Sequence, residues 1–255
     1  MYKRQLNDYA PNVEKSNTWR LRRAHCHYFS GKYEKASELY SDLKHRYKVD
    51  AETLEVASYQ LVLSNEKKWR ESFAQTREQG DAPQSDDGTV KSLDELETSV
   101  DEFASRFPSQ GRSVDLMLVA ASANRDMMRY ERASRYWRRA LVSSPNQAQR
   151  GIAIRGLVIA AMKDGAAIDV LNTARRFLRL EDWDRLGASI RKEVLGVVST
   201  AAFDESRRLN ENGNVAEAGA LLTEVATEFS GVPERDKMLR DGAYTLAIAG
   251  LWQEA

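Results

Sequence analysis

Three adjacent side chains, His25, Cys26 and His27, form the densest cluster of possible metal ligands in this sequence. Imidazole nitrogens and thiolate sulfurs are common ligands of zinc in proteins. Adjacent residues on a helix diverge by about 100°, however, so the two histidines point to nearly opposite sides. Because neither the ligand spacing nor a fourth ligand fits, we interpret Cys26 as a small core residue and His27 as a packing residue. His25 is expected to face a groove or solvent.

The remaining sequence lacks the patterns of common enzyme active sites. His45 is the one further histidine, and no serine elbow motif precedes a predicted helix. Neither of the two common glycine-rich phosphate loops is present. The sequence therefore predicts a protein that is not an enzyme and that uses no metal ion and no cofactor.

Charged residues are concentrated in two segments of opposite sign. Residues 125–155 contain eight arginines against Asp126 and Glu131, whereas residues 81–102 contain eight acids against Lys91 alone. We favour the interpretation that both are solvated helix faces, with the acidic segment lying back on the basic one. The alternative is a basic surface for an acidic protein segment, an anionic polymer or nucleic acid, because arginine pairs bidentately with carboxylates and phosphates.

Nucleic acid is the less favoured of these partners. Binding of RNA would require aromatic residues that are interleaved with the arginines and accessible for stacking on bases. The aromatic residues of the basic segment, Tyr130, Tyr136 and Trp137, fit packing positions instead. The net charge of the chain is also zero, which does not favour a partner held by bulk electrostatics.

Helices must position all of these residues. The 255 residues are 42% apolar and include only five prolines, and no alternating stretch is bounded by turns, so the predicted class is all-α. No run approaches the roughly 18 apolar residues of a membrane span, and the first residues lack the apolar core of a secretory signal. The single cysteine allows no internal disulfide, which is compatible with either the cytosol or the periplasm.

Two helical hairpins with the same spacing indicate a repeat. Residues 114–145 form the clearer hairpin, which Pro145 ends because proline has no amide hydrogen to donate. In both hairpins, the alanines at which the two helices touch are twelve residues apart. The matching positions are Ala121, Ala133, Trp137 and Ala140 in this hairpin and Ala24, Ala36, Tyr40 and Leu43 in the hairpin over residues 17–47.

The segments GKYEKASELYSDL and MRYERASRYWRRAL resemble the second half of tetratricopeptide repeats, with a divergent, bacterial type of sequence. Ala121 stands where that family prefers glycine, Asn124 and His27 stand at its tyrosine position, and Met117 takes the place of its leading tryptophan. The resemblance implies a right-handed superhelix, or α-solenoid, of stacked antiparallel helix pairs. It also implies one repeat domain over residues 1–255.

Further helices complete the predicted array. Residues 51–79 are read either as a hairpin broken at Ser64-Asn65 or as one long helix, and residues 80–91 are read as a mobile loop. Ser92, with Glu95, is the predicted cap of the next helix. The other predicted helices are 2–9, 92–107, 147–162, 166–180, a longer one from 183 or 185 to 212, 215–229 and 243–255. Both ends fall inside hairpins, so we expect a fragment of a longer array.

The resemblance implies a concave groove that binds a partner protein. Members that bind heat-shock proteins clamp a terminal carboxylate with paired lysine and asparagine, but Leu21, His25, Leu118 and Ser122 stand at those places here. These residues predict a mildly apolar groove for an extended or helical segment, with arginines setting its orientation. The candidate partner-binding residues are Leu21, His25, Tyr28, Leu118, Ser122, Arg125, Arg129, Arg132 and Arg135.

The predicted function is a non-enzymatic scaffold or adaptor for protein–protein interactions in a bacterial multiprotein assembly. The segments EFASRFPSQ and ATEFSGVP are similar to repeats of envelope-associated members, which favours an envelope, secretion or motility assembly and a periplasmic location over a cytoplasmic one. The alternatives are a regulatory or sensor domain of a cytosolic signalling or transcription protein, and binding of an anionic polymer through the arginine-rich hairpin. The identity of the partner and the oligomeric state are not encoded in any pattern we find.

Overall fold

The computed structural model describes residues 13–80, 82, 84, 86–108, 111–144, 146–179, 183 and 186–253. In this part of the chain, eleven α-helices form and no strand is present, so the predicted all-α class is confirmed. The helices are α1 (Val13–Phe29), α2 (Tyr33–Arg46), α3 (Ala51–Glu78), α4 (Asp87–Arg106), α5 (Gly111–Asp126), α6 (Tyr130–Ser143), α7 (Gln147–Asp164), α8 (Ala167–Leu178), α9 (Ala188–Glu211), α10 (Val215–Glu228) and α11 (Arg235–Ile248). The helix predicted over 2–9 and the stop at Pro145 lie outside the described residues.

The chain divides into two compact units, residues 1–123 and 124–255. In the first unit, α2 packs on α1, α3 on α2 and α4 on α3, and α1 also touches α3. In the second unit, consecutive helices from α6 to α11 pack on each other, and α7 also touches α9. Neighbouring helices are thus packed in series within each unit. The single domain predicted over residues 1–255 stays a prediction.

Alanines form the helix contacts of the first unit, as the sequence predicts. Ala24 of α1, Ala36 of α2 and Ala57 of α3 are fully buried in one apolar cluster. Tyr40 and Leu43, the residues predicted to follow on the same face, are buried in the same cluster. Small side chains let the helix axes approach, and the larger ones fill the space beside the contact.

Cys26 is exposed, so its interpretation as a core residue was wrong. It follows the predicted contact residue Ala24 by two positions, and two positions on a helix turn the side chain by about 200°, away from the core. His27 is half-buried, which leaves its packing role a prediction.

Residues 51–79 form one long helix and not a hairpin. α3 runs for 28 residues, and its start is capped by the Asp50 carboxylate, which accepts from the Thr53 amide at 2.7 Å. The polar pair Ser64-Asn65, which suggested a turn, is buried inside the helix. The Asn65 amide nitrogen donates to Ser99 Oγ at 3.2 Å, so this buried side chain forms a hydrogen bond between α3 and α4.

The predicted loop over residues 80–91 is shorter in the structure, because α4 begins at Asp87. The helix is capped by Asp86, whose carboxylate accepts from the Thr89 amide at 2.6 Å. Ser92, the predicted cap, is buried within α4, and its hydroxyl donates to the Thr89 carbonyl. The loop prediction was therefore wrong for residues 87–91. The prediction placed the cap at Ser92 and not at Asp86 because aspartate and serine are both favourable capping residues.

Glycines bring α10 and α11 into backbone contact in the second unit. A Cβ atom added to Gly242 would lie 2.9 Å from the Gly219 carbonyl oxygen and 2.6 Å from Thr223 Oγ1. A Cβ atom on Gly219 would lie 2.8 Å from the Gly242 carbonyl oxygen. Only hydrogen fits at either position, so this contact fixes the position of α11 on α10 more closely than alanines would.

Candidate functional site

Four helices, α1, α5, α9 and α11, are followed by the same turn. Each turn contains one residue in the left-handed conformation: Gly31 (φ 72°), Met128 (φ 56°), Gly213 (φ 82°) and Gly250 (φ 83°). The amide after each of these residues donates to the carbonyl five positions earlier at 2.8 to 3.0 Å, which is the Schellman arrangement. The turns therefore give the four helices a common register.

Counted back from the left-handed residue, the second, sixth and tenth residues fall on one side of each helix, because they are spaced four apart. We call these the groove positions. They are Leu21, His25 and Phe29 in α1; Leu118, Ser122 and Asp126 in α5; Phe203, Arg207 and Glu211 in α9; and Arg240, Tyr244 and Ile248 in α11. Leu21 and His25 in α1, and Leu118 and Ser122 in α5, are the four residues that the sequence places in the groove.

In α1, packing within the unit covers part of the surface of the predicted residues. Leu21 and Tyr28 are half-buried against the apolar cluster of α1, α2 and α3. The ring of His25 lies 5.7 Å from that of Tyr40, and burial lowers the pKa of His25 from its usual value. Phe29, which the sequence reading missed, is 81% exposed at the third groove position.

In α5, the predicted groove residues offer less surface. Leu118 is buried and Ser122 is half-buried. Burial leaves little of the Leu118 side chain for a partner to contact, so α5 is a poor source of apolar anchors. The direct contact predicted between Ala121 and Ala133 stays a prediction, although both residues are fully buried.

A groove of about 520 Å³ lies between α9 and α11 in the second unit. All three groove positions of α9, Phe203, Arg207 and Glu211, line it. Lys237 of α11 reaches across it, and its Nζ lies 4.7 Å from the centre of the Phe203 ring. We call this the α9–α11 groove. Its three lining residues Phe203, Arg207 and Glu211 hold in α9 the register positions that Leu21 and His25 hold in α1 and Leu118 and Ser122 hold in α5.

Helix α11, whose Lys237, Asp241 and Thr245 line this groove, also exposes large apolar side chains. Tyr244 is 69% exposed and Ile248 is 62% exposed, and both are groove positions. Leu251 and Trp252, in the turn after α11, are exposed as well. Exposed apolar side chains that cluster within nine residues are typical of a binding surface, whereas single ones are ordinary. The sequence reading missed this cluster.

The sequence carried a signal for this cluster. The helix predicted over residues 243–255 is wrong, since α11 begins at Arg235 and ends at Ile248, before Gly250 in the left-handed conformation. Glycine is the residue that most often ends a helix in this conformation. Taking Gly250 as a helix end and counting back six and two residues gives Tyr244 and Ile248.

A second groove, of about 800 Å³, lies between α2, α3 and α4 in the first unit, and we call it the α2–α3–α4 groove. Lys68 Nζ lies there, 2.6 Å from Glu34 and 2.7 Å from Glu95. Burial lowers the pKa of Lys68, but hydrogen bonds to both carboxylates outweigh it and raise the pKa above its usual value. Lys44 pairs with Glu102 at the same groove. His45, the third histidine of the chain, also lines it.

The predicted arginines lie at the end of α5 and on α6. Arg125 pairs with Asp126 at 2.8 Å, and Arg129 is half-buried at the start of α6. Arg132 and Arg135 are exposed. The α6 aromatic residues Tyr136 and Trp137 are buried, as their predicted packing role requires, and Trp137 covers Gly156 of α7. They are therefore closed to stacking with nucleic-acid bases.

The described residues contain no group of three or more His, Cys, Asp and Glu side chains that is placed to hold a metal ion. No helix in the described ranges combines the length and the hydropathy that crossing a membrane requires.

No protein-family model matches this chain, and no curated protein matches its sequence. What the fold defines is an all-helical protein whose neighbouring helices pack in series.

Proposed function

We propose that this chain is a divergent tetratricopeptide-type array, a right-handed superhelix that works as a non-enzymatic scaffold or adaptor. The four turns with one register support the repeat, because each gives its helix the same three groove positions. The alanine contacts between α1, α2 and α3 support helix pairs that stack. A stacked array offers a partner a long, rigid surface at little cost in conformational entropy.

One observation carries the binding role: Tyr244 and Ile248 are exposed on α11, the helix whose Lys237, Asp241 and Thr245 line the α9–α11 groove. Burying a side chain of this size on a partner stabilises a complex by about 1.5 to 3 kcal/mol. The spacing of four residues presents both side chains along one helix face, so the partner segment runs along α11. A helical or extended segment with apolar anchors fits such a surface.

The proposal is tested by a photo-reactive amino acid at position 248 in the organism that makes this chain. We expect a discrete cross-linked product with a second protein, because the side chain at 248 faces the bound segment. The matched control places the same amino acid at Thr227, which is exposed on α10 away from the groove. Equal products from both positions would contradict the proposal.

The cross-linked protein is then purified and its affinity measured. We expect Ile248→Asp to weaken its binding at least about ten-fold, since a charge replaces an apolar anchor. The identity of this partner also tests the predicted envelope, secretion or motility assembly, which stays a prediction. Unchanged affinity in Ile248→Asp would place the binding surface elsewhere.

A further inference from the structure

The α9–α11 groove has more carboxylates than cations. Its lining includes Asp204, Glu211, Glu234 and Asp241 against Arg207 and Lys237. Both cations are already paired within the groove, Arg207 with Asp204 at 3.5 Å and Lys237 with Glu234 at 3.0 Å. Asp241 also lies 3.5 Å from Arg240, the groove position one turn before Tyr244. The excess of negative charge favours a partner that brings cations.

Lys237 shows how a cation is held in this groove. Its Nζ lies over the Phe203 ring and beside the Glu234 carboxylate, so an aromatic face and a carboxylate hold it together. Tyr244 is also an aromatic ring near a carboxylate, because it lies one helical turn after Asp241, and its ring is exposed. An incoming lysine or arginine can therefore take at Tyr244 the position that Lys237 takes at Phe203.

We propose that the occupant of the α9–α11 groove is a basic amphipathic segment of a partner protein. A lysine or arginine of the segment lies on Tyr244 beside Asp241 and Glu211, and a bulky apolar side chain one turn away lies against Ile248. This inference rests on the proposed protein-binding function and adds the chemistry of the partner. Tyr244 and Ile248 supply most of the affinity, and the carboxylates select the sign of the charge.

The first test is a selection from random 16-residue peptides displayed on phage, with the 255-residue chain immobilised. Peptides that also bind a Tyr244→Ser/Ile248→Asp variant are removed. We expect the enriched peptides to carry an excess of lysine and arginine and an apolar residue three or four positions from a basic one. Enriched peptides without a basic excess would overturn the charge inference.

The second test exchanges the charges in solution. Binding of a fluorescent basic peptide from the selection should weaken at least about ten-fold in Glu211→Lys/Asp241→Lys, because like charges then face each other. Replacing the basic residues of the peptide by glutamate should restore binding to that variant. The control, Glu52→Lys/Glu78→Lys, changes the net charge equally at exposed positions of α3 and should leave the affinity unchanged.

The two proposals fail in different ways. If peptides are enriched and depend on Tyr244 and Ile248, but the control variant loses affinity as much as Glu211→Lys/Asp241→Lys, only the basic partner is excluded. If no peptide is enriched over the Tyr244→Ser/Ile248→Asp background, the proposed protein-binding surface fails as well.

Discussion

The α2–α3–α4 groove is larger than the α9–α11 groove, at about 800 Å³ against about 520 Å³, yet three of its carboxylates are bound to lysines of the chain itself. Lys68 joins Glu34 of α2 to Glu95 of α4, and Lys44 joins α2 to Glu102. The smaller groove has paired charges too, but beside it Tyr244 and Ile248 are exposed.

The difference separates a groove that holds helices together from one that is suited to a partner. Separating the paired charges of the α2–α3–α4 groove would break ion pairs that join these three helices. Transfer of the exposed Tyr244 and Ile248 side chains from water to an apolar partner surface is favourable in free energy. Volume favours the α2–α3–α4 groove, whereas exposed apolar surface favours the α9–α11 groove as the candidate site.

The largest effect on stability is expected from Gly242→Ala. The new Cβ would meet the Gly219 carbonyl oxygen at 2.9 Å, so α10 and α11 must separate, which costs about 1 to 3 kcal/mol. Urea unfolding gives the free energy, and hydrogen exchange should increase in α11 and not in α2 to α4.

The matched control is Gly196→Ala in the interior of α9, where a Cβ would meet nothing within 4 Å. It should stabilise the protein by about 0.5 to 1 kcal/mol, because alanine favours a helix over glycine. Equal effects of the two substitutions would argue against the tight contact of α10 and α11.

Lys68→Met should have a smaller effect and should be confined to the first unit. The substitution leaves Glu34 and Glu95 without their shared cation and costs about 1 kcal/mol, part of which high salt removes by screening. Unfolding in low and high salt measures both quantities. Arg70→Met, which breaks the more exposed pair with Glu66, is the control and should change stability less. A loss in Lys68→Met that salt does not reduce would contradict an electrostatic role.

The smallest effect concerns the acid sensitivity of the start of α4. Hydrogen bonds from the Thr89 side chain and amide hold the pKa of Asp86 below its usual value. The carboxylate therefore stabilises the fold fully above its unfolded pKa of about 3.9, and this contribution is lost as the pH falls through the lower folded value. Asp86→Ala should accordingly be less stable than the wild type at neutral pH, and the difference should shrink in acid.

Asp86→Asn separates capping from titration, because asparagine caps a helix about as well as aspartate does. Its stability should be close to that of the wild type at neutral pH and should lack the acid-dependent step of Asp86. Urea unfolding between neutral pH and acid measures the step. An identical pH profile in both proteins would show that Asp86 does not titrate in this way.

Much of the fold was predictable because repeated small residues mark where helices touch. Ala24 and Ala36 indicated the first hairpin, and the helix predicted over residues 215–229 forms as α10, with Ala218, Leu222 and Val225 buried. The single helix α3 was harder to predict, because a buried polar pair and a turn look alike in sequence. Asn65 is satisfied by Ser99, 34 positions away, and no local pattern contains that partner.

The candidate site was predictable only in part. Leu21 and His25 lie in line with the exposed Phe29 on α1, but their binding role stays a prediction. Exposure depends on what packs nearby, so the sequence did not distinguish the buried Leu118 from the exposed Tyr244. The hairpin over residues 114–145 implies the turn between α5 and α6, but not its left-handed residue, because a methionine such as Met128 gives no signal for that conformation in sequence. The contact of Gly219 with Gly242 was not predicted, because two single glycines on neighbouring helices form no repeated spacing in the sequence.

The most direct measurement is oxidative footprinting of Tyr244 and Trp252 with and without the selected basic peptide. Both side chains are well exposed in the unbound chain, whereas Tyr47 of the first unit is stacked under Arg20 and serves as the reference. We expect rapid oxidation of Tyr244 and Trp252 in the unbound chain, several-fold protection in the complex, and no change at Tyr47. Oxidation of Tyr244 that stays the same when the peptide is bound would contradict a binding surface on α11.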